Sequence, residues 1–77
     1  MILDEQAVSR LVAEMDSARA KWGAYRSTHE VYGVLSEEME ELLDAIHADD
    51  DRAARAEALQ IAAVALRFAV EGWKRDQ

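Results

Sequence analysis

The chain has 77 residues, 51% of them hydrophobic, and a formal net charge of −7 at pH 7. This length allows one domain, residues 1–77, with a small core of its own. The negative charge argues against nucleic acid or an anionic membrane as the main partner. The absence of cysteine excludes disulfides and thiolate metal sites.

The N-terminal residues MILDEQAVSR are acidic and contain no long apolar run, so we expect no signal peptide and a cytoplasmic protein. The apolar stretch from Ile61 to Val70 is interrupted by Arg67 and is too short to cross a bilayer. A short, hydrophobic chain without disulfides favours oligomerisation, and we expect a homodimer or homotetramer.

A first helix is predicted over about residues 4–22. Its apolar residues recur at helical spacing and form one stripe. Trp22 ends this stripe and is therefore expected in the core, while Gly23 is a candidate C-cap. The stripe consists of Val8, Leu11, Val12, Met15, Ala18 and Trp22.

A second helix is predicted over about residues 28–47. Ser27 and Glu30 have the spacing of a capping box, in which the hydroxyl accepts from a free amide and the glutamate reaches back. The apolar stripe of this helix comprises Val31, Leu35, Met39, Leu42 and Ile46.

A third helix is predicted over about residues 51–75, after the acidic turn HADDDR, with Asp50 or Asp51 as the N-cap. It is apolar on two sides, and a second subunit is the simplest way to cover both. One side comprises Leu59, Ala63, Leu66, Val70 and Trp73, and the other Ile61, Ala65 and Phe68. The fold class is all-α: a three-helix protomer that completes a helical bundle by oligomerisation.

The segment LSEEMEELLDAI crowds acids onto the second helix. Glu38 and Glu41 lie one turn apart on one face, and Asp44 extends that face by a further turn. Glu57 and Gln60 have the same spacing on the third helix. If the two helices form an antiparallel hairpin, these oxygens converge on one point and suit Mg²⁺ or Mn²⁺. A solvated acidic face remains the alternative.

The acidic turn does not encode an EF-hand. A loop starting at Asp49 would need glycine where Ala54 stands and glutamate where Gln60 stands.

The stretches VLSEEMEELLDAI and RAEALQIAAVALRF resemble the MazG-like all-α nucleoside triphosphate pyrophosphohydrolases. The resemblance covers roughly residues 31–70. Glu38-x-x-Glu41 matches the family's first acidic pair, and Glu57 matches the first member of its second pair. Gln60 stands where the family has aspartate, so the site has one negative charge fewer, which Asp44 could replace.

The resemblance implies Mg²⁺-dependent hydrolysis of a (deoxy)nucleoside triphosphate to the monophosphate and pyrophosphate. It implies Glu38, Glu41 and Glu57 as metal ligands, with Gln60 and Asp44 as further candidates. Glu38 and Glu41 are the candidate catalytic residues, because a water activated by a metal or a carboxylate such as Glu38 would attack the α-phosphorus. The loss of the family's aspartate also allows a weakened or inactive helical nucleotide-binding or protein-interaction module.

Three further residues are candidates for contacts with a nucleotide substrate. Arg67 could contact a phosphate, although an arginine in an apolar stretch also suits pairing with an acid at a subunit boundary. Lys21 lies near the first connection and could meet the phosphate tail. Tyr32 could stack on the base, because aromatic faces suit that role.

Overall fold

A computed structural model describes the backbone of residues 4–75 and the side chains of residues 4–71. Three α-helices make up this part of the chain: α1 (Glu5–Trp22), α2 (Thr28–His47) and α3 (Asp51–Arg75). The all-α class and the three predicted helices are therefore confirmed. The Trp73 side chain, predicted for the apolar surface of α3, lies outside the described residues.

Local chemistry explains where the helices begin and end. Asp4 accepts a 2.6 Å hydrogen bond from the Ala7 amide at the start of α1. The Ser27 hydroxyl accepts from the Glu30 amide, and the Glu30 carboxylate reaches back to the Arg26 amide. Gly23 ends α1 with a φ of 75°, a conformation that glycine adopts without steric cost. The predicted caps at Ser27 and Gly23 are confirmed.

A three-residue connection, residues 48–50, folds α2 and α3 into an antiparallel hairpin. Asp49 has a φ of 55°, and its amide donates to the Ile46 carbonyl. Asp50 then caps α3 by accepting from the Ala53 amide. Because the connection is so short, the second half of α2 must face the first half of α3.

The core is small and lies near the start of α2. Tyr25, Val31 and Val64 are buried together. Three partly buried residues pack against them: Val34, Leu35 and Phe68. This core joins the α1–α2 connection to the middle of α3.

The first helix packs against α3 through fewer residues than α2 does, and none of its residues is buried. The radius of gyration is 13.3 Å, against about 11.5 Å for a compact chain of this length. Large hydrophobic side chains remain exposed on all three helices. They include Val8 and Val12 on α1, Met39, Leu43 and Ile46 on α2, and Leu66 and Val70 on α3.

Within residues 4–75, no helix has both the length and the apolar character that crossing a membrane requires.

Candidate metal centre

Three glutamates from the α2–α3 hairpin meet at one point. Glu38 and Glu41 come from successive turns of α2, and Glu57 comes from the facing turn of α3. One carboxylate oxygen from each lies within 4.8 Å of the other two. We call Glu38, Glu41 and Glu57 the carboxylate cluster. The antiparallel hairpin therefore brings together the three glutamates that the sequence predicted as ligands.

The donor set of the carboxylate cluster fits a hard divalent cation. Oxygens on opposite sides of Mg²⁺ lie about 4.2 Å apart, and on opposite sides of Ca²⁺ about 5 Å apart. The observed separations reach 4.8 Å at most, so small side-chain adjustments would close the site around an ion. In addition, Glu57 Oε2 is buried without a hydrogen-bond partner. A buried acceptor without a partner is costly, and a cation would satisfy it.

The electrostatics of the carboxylate cluster favour the protonated form of two of its members. Burial raises the pKa of Glu38 to about 7, with hydrogen bonding to Glu57 and the charges of Glu57, Glu41 and Glu37 adding to the effect. The pKa of Glu41 is raised mainly by hydrogen bonding to Glu57 and by its charge. Both carboxyls therefore hold a proton more firmly than a free glutamate does, mainly because Glu38 is partly buried and because Glu41 is hydrogen-bonded to Glu57.

The raised pKa of Glu38 predicts how stability depends on pH in the metal-free protein. The folded state binds the Glu38 proton more tightly than the unfolded state, whose glutamates have an ordinary pKa near 4.5. The free energy of unfolding should therefore fall as pH rises from about 4.5 to about 7. Urea unfolding with chelator across this range measures the effect, and Glu38→Gln should flatten the slope. Equal slopes for the two proteins would contradict the prediction.

Asp44 lies outside the carboxylate cluster and is exposed, one turn beyond Glu41. Gln60 is partly buried, and its amide nitrogen donates a 2.7 Å hydrogen bond to Glu14 on α1. Helical spacing does not predict this link between α1 and α3, because the two residues are 46 positions apart.

A cleft of about 570 Å³ adjoins the carboxylate cluster, and Glu38 belongs to both. We call it the α1–α2 cleft, because α1 and α2 form its walls. Gln60, Val64 and Arg67 of α3 form its floor. Its volume lies within the range of small-molecule pockets. The walls include Ala18, Trp22, Tyr25, Arg26, Glu30 and Glu38.

Arg67 is only 4% exposed, and its contacts lie within the chain. One guanidinium nitrogen donates to the Gly23 carbonyl at 2.6 Å, and another lies 3.4 Å from the Tyr25 hydroxyl. The guanidinium also stacks over the Tyr25 ring at 4.4 Å, and Glu71 lies 3.7 Å away. Arg67 thus fastens the α1–α2 connection to α3, and its Nε is buried without a hydrogen-bond partner.

The aromatic and basic residues around the cleft differ from the expectation. Tyr32 is 73% exposed and does not line the cleft. Trp22 is 71% exposed and does line it, so the prediction that Trp22 lies in the core is wrong. The helical stripe predicts an inward side chain, but α1 packs against α3 and not against α2, so α2 does not cover Trp22. Lys21 lies over the Trp22 ring at 5.0 Å, which keeps its ammonium near the cleft edge.

In comparisons with known proteins, no family model, no curated protein sequence and no solved structure matches this chain.

Proposed function

We propose that this chain is a Mg²⁺-dependent nucleoside triphosphate pyrophosphohydrolase of MazG-like type. The observation that carries the proposal is the meeting of three carboxylates within 4.8 Å beside a cleft of about 570 Å³. The acidic residues are those that carry the resemblance to the family: Glu38, Glu41 and Glu57. The fit of this donor set to Mg²⁺ or Mn²⁺ supports the metal requirement.

The proposed reaction is attack of water on the α-phosphorus. A bond forms between the water oxygen and that phosphorus, the bond to the bridging oxygen breaks, and pyrophosphate leaves. Bound Mg²⁺ would supply positive charge to a substrate that a chain of net charge −7 otherwise repels. The carboxylate cluster would hold the cation, and a carboxylate such as Glu38 would accept the proton from the attacking water.

The α1–α2 cleft supplies the proposed substrate pocket. Trp22 presents an exposed aromatic face there, which suits stacking on a nucleobase, whereas Tyr32 lies elsewhere. Arg26 lines the same cleft, and Lys21 lies beside Trp22. In this proposal, these cations contact phosphates that extend beyond the metal.

Trp22→Ala should therefore weaken nucleotide binding and leave the chemical step nearly intact. Loss of base stacking is expected to raise KM roughly tenfold, since stacking on an aromatic side chain contributes about 1–3 kcal/mol. Steady-state kinetics measure this effect, with Tyr32→Ala as the matched control. A larger effect of Tyr32→Ala than of Trp22→Ala would identify Tyr32, and not Trp22, as the base contact.

We further propose that the protomer functions as a homodimer or homotetramer. The exposed hydrophobic residues on all three helices and the open arrangement of the chain support this proposal. Burial of these side chains in a second copy would complete a helical bundle. Light scattering coupled to size exclusion tests the subunit count.

The test of the proposed activity is pyrophosphate release from a panel of nucleoside and deoxynucleoside triphosphates. Reactions contain Mg²⁺, Mn²⁺ or chelator. We expect release with either metal and none with chelator. No release from any nucleotide in the presence of metal would refute the enzymatic proposal.

A second candidate is a helical nucleotide-binding or interaction module without turnover. Gln60 favours it, because this residue brings no charge to the site and its amide is already bonded to Glu14. This candidate predicts nucleotide binding, measured by calorimetry, without pyrophosphate release.

A further inference from the structure

The hydrogen bond between Gln60 and Glu14 joins α1 to the edge of the proposed metal centre. Gln60 lies one turn after Glu57 on α3 and lines the α1–α2 cleft. Its Nε2 donates to Glu14 Oε2 over 2.7 Å, and both side chains are partly buried. A hydrogen bond from an amide to a carboxylate is stronger than one between neutral groups. The bond can therefore hold the amide in one orientation.

The chemistry of the two groups fixes which end of the amide faces α1. A carboxylate oxygen accepts hydrogen bonds, whereas an amide has one donating and one accepting end. The NH₂ end of Gln60 must then face Glu14. The amide oxygen is therefore the end of the group that Glu14 does not engage, and Gln60 lines the same cleft as Glu38 of the carboxylate cluster.

We propose that Glu14 is a positioning residue that holds the Gln60 amide with its oxygen directed to the metal centre. Gln60 then serves as a neutral oxygen ligand beside the carboxylate cluster. This inference rests on the proposed function and deepens it. The family has an aspartate at position 60, whereas here the nearby carboxylate belongs to Glu14. This carboxylate polarises the Gln60 amide and makes its oxygen a stronger ligand for a cation.

Without Glu14, the amide can turn and present its NH₂ group to the cation, which repels it. Glu14→Ala should therefore raise the Mn²⁺ dissociation constant roughly tenfold, the lower end of the effect of removing a group that orients a ligand. Isothermal titration with Mn²⁺ alone measures this change. Asp16→Ala is the matched control, because it removes an exposed acid from the same helix and should leave the constant unchanged.

Exchanging the two residues gives a second test. Gln60→Glu alone places two carboxylates face to face, so the melting temperature of the metal-free protein should fall. Adding Glu14→Gln reverses the hydrogen bond, and the double variant should recover the melting temperature. It should also bind Mn²⁺ at least as tightly as the unchanged protein, because residue 60, the proposed ligand, now carries the carboxylate.

The outcomes separate this inference from the proposed function. If Glu14→Ala lowers the melting temperature but leaves the Mn²⁺ dissociation constant within twofold of the control, Glu14 only supports packing and the inference is overturned. Failure of the double variant to recover the melting temperature also overturns it. If the unchanged protein does not bind Mn²⁺, the metal centre itself is refuted, and the ligand role of Gln60 with it.

Discussion

Glu41→Gln is expected to abolish metal-dependent pyrophosphate release. Glu41 contributes one of three oxygens that lie within 4.8 Å of one another, and its neighbours Glu38 and Glu57 cannot replace its charge. Glutamine has the same shape but is a neutral ligand, so affinity for Mg²⁺ should collapse. We expect turnover to fall by at least about 10²-fold, comparable to the removal of one electrostatic catalytic group.

The same variant should be more stable than the unchanged protein when no metal is present. Hydrogen bonding to Glu57 and the negative charge of Glu57 raise the pKa of Glu41, so removing the charge of Glu41 relieves repulsion. Added Mg²⁺ should stabilise the unchanged protein, because an ion that binds only the folded state shifts the equilibrium towards it. That metal-induced rise in melting temperature should be absent from Glu41→Gln.

Glu40→Gln is the matched control for this experiment. Glu40 is exposed, adjoins Glu41 on α2 and lies outside the carboxylate cluster. Its replacement removes the same charge from the same helix but should preserve turnover and metal-induced stabilisation. Unchanged turnover in Glu41→Gln would refute the catalytic role of the cluster. Equal losses in both variants would show that general surface charge, and not the cluster, governs activity.

The helices and the carboxylate cluster could be predicted because both depend on local spacing. Ser27 marks the start of α2 and Gly23 marks the end of α1, each through a hydrogen bond to a residue three or four positions away. Glu38 and Glu41 share a face because α-helical residues three apart are neighbours. The short α2–α3 connection then places Glu57 opposite them. The assumption of an antiparallel hairpin is therefore enough to predict the carboxylate cluster.

The position of α1 could not be predicted in this way. Its stripe indicated one apolar face but not how much of that face α3 would cover, and Trp22 remained exposed in the cleft. The link between Gln60 and Glu14 depends on the same docking. These contacts join residues far apart in the chain, and helical spacing carries no information about them.

Arg67 illustrates a residue whose environment the sequence left open. The sequence alone predicts contact with a phosphate or with an acid at a subunit boundary. The structure surrounds it with the Gly23 carbonyl, the Tyr25 ring and Glu71, all from its own chain. Burial of a guanidinium requires such partners, because an unpaired buried charge is strongly destabilising. A stability measurement can therefore separate its structural role from contact with substrate.

Arg67→Met is expected to lower the free energy of unfolding by about 3 kcal/mol. It removes the guanidinium donor and leaves the Gly23 carbonyl and the Tyr25 hydroxyl without this partner. Methionine keeps much of the side-chain volume, so the loss reports mainly on the guanidinium. For a domain of this size, the melting temperature should fall by roughly 12–24 °C. Tyr25 should also become more exposed, which its fluorescence quenching would report.

Arg55→Met provides the comparison, since it makes the same substitution on the same helix. Arg55 pairs with Asp51 at the surface, where both side chains are at least 75% exposed. Ion pairs of this kind contribute little to stability, so the melting temperature should hardly change. If Arg67→Met left the melting temperature equally unchanged but raised KM, the guanidinium would belong to the substrate. The docking of α1 would then depend on the Gln60–Glu14 and Arg19–Glu71 contacts instead.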